Sequence, residues 1–217
     1  MAGLGKRIDD PLEASSYFAP GGGEIYAPLR NAVTSVATEM GYDTSTFTEH
    51  GVVWADDQDP FGHLKYAAFP HLFAVCNFRL FESFSRSLGP ELYEEFSRAR
   101  GVGIVTKSFS IDLKRQVKYP DALLIAVRVT EMKPDRYHCI TTIWSYSQQA
   151  IVAETSGYAV FFDYKKQRPA NLVEYGGRYK ELYDDLTRRA AAGNAMYGKW
   201  LERNPKARPR VRPAEKM

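Results

Sequence analysis

The stretch from Tyr66 to Phe84, YAAFPHLFAVCNFRLFESF, restricts the fold more than any other part of the chain. Wound as a helix, its apolar residues Tyr66, Phe69, Leu72, Phe73, Val75, Cys76, Phe78, Leu80, Phe81 and Phe84 cover almost the whole circumference. A helix that is apolar all round has to be enclosed by the rest of the protein. Pro70 near its start costs little, because a first-turn N–H has no helical acceptor, and the regular helix is expected from about Phe69. A second, amphipathic helix is expected over GPELYEEFSRARG, with Pro90 in its first turn and Gly101 as its stop.

The enclosing material follows. GIVTKSFSIDLKR alternates, with Val105, Lys107, Phe109, Ile111 and Leu113 on one face and Thr106, Ser108, Ser110 and Asp112 on the other. After the turn YPD come ALLIAVRVTEM, the turn KPDR, YHCITTIWSYS, the polar pair Gln148-Gln149 and IVAETSGYAVFFDY. Three consecutive strands with short connections form an antiparallel meander, since parallel pairing needs a long crossover. A further strand is expected at Val52 to Ala55, before the helix. The stretch 29–40 is compatible with a short helix or a strand. The fold class is therefore α+β: an antiparallel sheet wrapped around a long central helix. The expected organisation is a loose segment over 1–24, the sheet-and-helix domain over 25–170, a helical extension over 171–203 and a disordered basic tail over 204–217.

Composition excludes several alternatives. With 44% hydrophobic and 13% aromatic residues in 217, the chain can build a large core. Its net charge is only +3, and the tail RNPKARPRVRPAEKM alone holds six Lys or Arg against one Glu. Proline-spaced arginines of this kind are normally solvated, which makes nucleic-acid binding a weak reading. Two cysteines are too few for a disulfide scaffold. No secretory signal pattern and no long apolar span is present, so a soluble, cytoplasmic protein is expected, with a mitochondrial location left open. Four scattered histidines give no metal-ligand spacing, and neither a Gly-x-Ser-x-Gly elbow nor a phosphate-cradling Gly-Lys loop occurs. No metal and no cofactor is expected.

Directly before the apolar helix stands WADDQDPFGHLKY, with Asp56, Asp57 and Asp59 crowded together. Such acids can simply cap a helix. Free N–H groups in the first turn of a helix also stabilise negative charge, on a carboxylate or on a developing oxyanion.

These residues, with the apolar helix, LGPELYEEFSRARGVGIVTKSFSIDLKRQVKYPDALLIAVRV and VAETSGYAVFFDYKKQRPA, resemble the hotdog-fold acyl-CoA thioesterases of the 4-hydroxybenzoyl-CoA thioesterase type, particularly their fungal relatives. The resemblance runs from Val52 to Pro169 and rests on the acid-x-x-Gly-His signature of Asp59, Gly62 and His63, the YPD turn and the closing strand. It implies hydrolysis of acyl-CoA or acyl-carrier thioesters, with coenzyme A entering only as part of the substrate, and a homodimer or dimer of dimers. Asp59 would attack the thioester carbonyl or activate water, while His63 would orient the loop or bond the substrate carbonyl. Gly62, Leu64, Lys65 and Tyr66 would contact the substrate. The family commonly has asparagines where Lys65 and Tyr66 stand, and an acid and an arginine at Ala74 and Asn77. Arg115, Lys118 and Arg128 are candidates for the coenzyme A phosphates by charge alone. Two other readings share the fold: a dehydratase with His63 as base, and a catalytically silent protein that binds an acyl ligand or a partner.

Overall fold

Ala27–Glu39 forms helix α1, and a short turn over Thr44–Thr46 leads into strand β1, Thr48–Gly51. A single helical turn, α2 (Trp54–Asp57), and an irregular loop precede the central helix α3, Ala68–Ser83, and α4, Ser85–Ser97. The strands β2 (Val102–Leu113), β3 (Ala122–Lys133), β4 (Arg136–Ser145), β5 (Ala150–Asp163) and the short β6 (Arg168–Pro169) follow, then α5 (Leu172–Tyr175) and the long α6 (Gly177–Arg203). This computed structural model describes residues 26–207. The expectations for residues 1–24 and for the tail from 208 onward lie outside the described residues; Pro205–Ala207 forms one further helical turn.

The strands pair antiparallel in the order β1-β3-β4-β5-β2, with β6 on β5. The meander of β3, β4 and β5 is present as expected. β2 does not join it next to β3, its neighbour in sequence, but crosses to the far side and pairs with β5 from Val102↔Asp163 to Leu113↔Ala153. That crossing bends the sheet around α3. Phe69, Leu72, Phe73, Cys76 and Leu80 of the helix meet Leu123, Ile125, Val127 and Val129 of β3 in one core.

A second core lies on the other face of the sheet. There Ala122, Leu124 and Ala126 of β3 pack with Val33 and Ala37 of α1 and with Trp144 and Tyr146. β3 is therefore covered on both faces, which is why ALLIAV is an unbroken apolar run rather than an alternating one. Helix α6 lies across β3 and α4. It comes so close to the turn after α1 that a Cβ on Gly193 would stand 2.9 Å from the Gly41 carbonyl oxygen.

Two expectations need correction. The strand foreseen at Val52 to Ala55 lies earlier, at Thr48–Gly51, and Trp54–Asp57 is helical because the Asp57 carboxylate reaches back to accept the Val53 amide at 2.7 Å. Nor is the central helix enclosed on every side by its own chain: Phe78 is 59% and Val75 37% exposed. The second helix is broken at Gly89 (φ 72°), so its regular part starts at Pro90 as the sequence suggests.

Candidate active site at the start of the central helix

The loop between α2 and α3 is tied by Asp59. Its amide donates to the His63 carbonyl at 2.8 Å, and its carboxylate Oδ1 accepts the amides of Phe61 at 2.8 Å and His63 at 3.0 Å. Gly62 closes the turn with φ +76° and donates to the Asp59 carbonyl at 3.0 Å, a left-handed position that favours glycine. The His63 amide, and with it the Phe61 amide, outweighs the slight desolvation and holds the Asp59 carboxyl below its usual range. At neutral pH it is an anion whose Oδ2 is left without a partner among the described residues.

The rest of the loop is pinned from below. Asp57 is nearly buried, and its Oδ2 accepts both the Val53 amide and His50 Nε2, each at 2.7 Å. Burial works to raise the Asp57 pKa, but the bonds from His50 and Val53 outweigh it and keep the group ionised. The Asp57 carbonyl accepts the Lys65 amide at 2.8 Å, and the Leu64 amide reaches the Val117 carbonyl at 2.8 Å. Lys65 Nζ donates to the Asp56 carbonyl, so its ammonium is drawn to a backbone oxygen rather than to a carboxylate.

The entrance to α3 differs from a plain helix end. Ala68 and Phe69 donate to the carbonyls of Lys65 and Tyr66 at 2.9 and 3.3 Å, which uses the first-turn donors expected to face the acid. The donor left over lies one step upstream: among the described residues no carbonyl accepts the Tyr66 amide. Asp59, His63, Leu64, Lys65, Tyr66 and Phe69 line a hollow of about 570 Å³, closed on its far side by Leu113 to Val117 at the end of β2.

The sequence-derived candidates thus divide into three groups. Asp59, His63, Leu64, Lys65, Tyr66 and Arg115 share one wall system. Gly62 shapes the loop without lining the hollow, and Lys118 is exposed just beyond its rim. Arg128 is not part of it. The residue is 5% exposed on the opposite face of the sheet, its guanidinium stacked over Tyr197 at 4.4 Å and Tyr42 at 5.6 Å and bonded to Asn194 at 2.7 Å. Assignment by charge alone fails there because β3 is covered on both faces.

Phe69 of α3 and Leu113 of β2 line this hollow; further along α3 and back along β2, Phe73 and Phe109 line a second one. This second chamber, about 260 Å³, contains Asn77, whose Oδ1 accepts the Thr141 hydroxyl at 3.3 Å. Sequence reasoning noted Asn77 only as a departure from a pattern; a polar residue in an apolar helix was the available signal. The pairing of His50 with Asp57 carried no signal, since it joins strand β1 to the end of the helical turn α2. Among the described residues no cluster of His, Cys, Asp or Glu suits a metal ion, and no helix is long and apolar enough to cross a membrane.

An antiparallel sheet curled around a central helix, with an acidic Gly-His loop at the helix start, is the hotdog fold in its thioesterase form. The chain belongs to the thioesterase-like superfamily, whose family model matches residues 52–190. Among solved structures it is similar to the YbaW probable thioesterase from Escherichia coli, at 16% identity and TM-score 0.50, over 63% of this chain and 97% of that one. A predicted thioesterase from Bacillus stearothermophilus is similar at 13% identity and TM-score 0.50, over 65% of this chain and 95% of that one. At these identities the likeness concerns the fold. No curated protein matches the chain.

Proposed function

We propose that the protein hydrolyses acyl-CoA or acyl-carrier thioesters to the free acid and thiol, using Asp59. One observation supports this most directly: Asp59, with one carboxylate oxygen unpartnered among the described residues, and Tyr66, whose amide no described carbonyl accepts, line the same hollow at the start of a buried helix. The Asp59 anion attacks the thioester carbonyl carbon or takes a proton from a water that does so. The carbonyl oxygen becomes an oxyanion facing the Tyr66 amide, and the C–S bond breaks to release a thiolate; where Asp59 itself attacks, the mixed anhydride so formed is then hydrolysed by water, which frees the acid and restores the carboxylate. A thiolate needs little protonation to leave. The low pKa of Asp59 fits a nucleophile better than a strong general base.

Arg115 on the wall and Lys118 at the rim, which have no ion pair among the described residues, are placed to receive the coenzyme A phosphates. A homodimer is part of the same proposal. β2 is an edge strand with Phe109 61% and Leu113 50% exposed, and Phe78 stands open on the neighbouring helix; an apolar edge of this kind is normally paired.

The test is free-thiol release from short, long and aromatic acyl-CoAs by the natural protein and by Asp59→Ala. The expected result is turnover that falls by about 10³-fold or more in the variant, with a melting temperature lowered only by the loss of the bonds from the Phe61 and His63 amides. Turnover unaffected by the substitution would assign the chemistry to another group, and no turnover on any thioester would leave acyl binding as the function of the fold.

A further inference from the structure

The second chamber is mostly apolar, with Pro70, Phe73, Phe81 and Phe109 along its sides, yet the Asn77 amide is part of its lining. Asn77 can make several hydrogen bonds through its carbonyl oxygen and its NH₂ group. Among the described residues one long bond is supplied, 3.3 Å from the fully buried Thr141 hydroxyl. Its Nδ2 has no hydrogen-bond partner among the described residues, and the residue lines the chamber. The neighbouring Thr155 differs, because its hydroxyl already donates to the Ser110 carbonyl at 2.8 Å.

We infer that this chamber takes the acyl group of the substrate, and that Asn77 selects acyl groups bearing a hydroxyl or carbonyl oxygen remote from the thioester. The inference rests on the thioesterase reading for the position of the reacting carbon and adds the chemistry of the group that is held. A plain alkyl chain filling the chamber would strip water from the Asn77 amide and offer it nothing; a chain with a remote oxygen would restore the bond. The position of that oxygen follows from the helix. Asn77 lies eight residues beyond Phe69, which forms the floor of the first hollow, and eight residues span about 12 Å of helix. An oxygen on the carbon next but one to the thioester would fall short. The chamber's 260 Å³ exceeds an apolar cavity of about 150 Å³ known to admit benzene, so a substituted ring or a medium-length chain fits.

The experiment compares kcat/KM for octanoyl-CoA, β-hydroxyoctanoyl-CoA and ω-hydroxyoctanoyl-CoA with the natural protein, Asn77→Leu and Asn77→Ala. The expected result is a preference of about tenfold or more for the ω-hydroxy substrate over the other two, the factor one ordinary hydrogen bond supplies. In both variants that preference should collapse towards one. Hydrolysis with no preference in the natural protein, or a preference that survives in the variants, overturns the inference while leaving thioester hydrolysis standing. If none of the three is hydrolysed, the thioesterase reading fails, and calorimetric titration of octanoate and ω-hydroxyoctanoate still decides about the chamber. About tenfold tighter binding of the hydroxy acid, lost in Asn77→Leu, supports it; equal or undetectable binding of both overturns it.

Discussion

Replacing Asp57 by alanine tests whether the loop before α3 is held by the buried link to His50. The substitution removes one carboxylate oxygen that accepts two bonds of 2.7 Å, from the Val53 amide and from His50 Nε2. A hydrogen bond to a charged group contributes about 1.5–3 kcal/mol, and a buried N–H left unpaired costs about 1–3 kcal/mol. Because both bonds share one oxygen, simple addition overstates the loss, and a destabilisation of about 3 kcal/mol is expected. For a domain of this size that corresponds to a drop of roughly 6–12 °C in Tm. Asp57→Asn keeps an acceptor for Val53 but loses the charge opposite His50, and should cost about half as much.

The pH dependence carries its own sign. The folded pKa of Asp57 is held below its unfolded value of about 3.9, so its contribution is fully present above that value and is lost as pH falls through the lower folded pKa. The gap between the natural protein and Asp57→Ala should therefore narrow below about pH 4. Urea unfolding followed by circular dichroism at several pH values measures this. A loss under about 1 kcal/mol at pH 7, or an Asn variant as unstable as the Ala variant, would refute the assigned role.

Two further outcomes can be checked independently. Gly157→Ala would place a Cβ 2.3 Å from the Ser108 carbonyl oxygen, beside the irregular pairing between Thr106 and Ser108, and should destabilise the protein by about 1–3 kcal/mol through forced movement of β2; thermal unfolding reads this directly. Arg115→Ala should raise KM for an acyl-CoA several-fold and leave kcat/KM for the matching N-acetylcysteamine thioester, which lacks the phosphates, within about twofold.

Much of the fold could be read from hydrophobic period. A helix apolar on nearly every face had to be wrapped, and the strands that follow it differ from it in period, so a curled antiparallel sheet around a helix followed with few alternatives. The unbroken run of β3 carried the trace of its two-sided burial. The acidic loop was legible too, because Asp59, Gly62 and His63 lie within five residues and their turn is local chemistry.

What the sequence could not express depended on chain crossings. β2 could have lain beside β3, its neighbour in sequence; its place beside β5 is decided by closure of the sheet over α3, a contact between residues some fifty apart. That placement sets Leu113 and Arg115 opposite Asp59, and the packing of α3 on the sheet brings Asn77 against Thr141 of β4, sixty-four residues away. Arg128 shows the same limit from the other side: its charge suggested a phosphate ligand, whereas α6 folds back over β3 and encloses it between two tyrosine rings. Local sequence determines the period of each element and the turn that shapes the loop, because those energies involve neighbours along the chain. Which wall faces which is settled only when distant segments compete for the same apolar surface, and that competition takes place in the folded state.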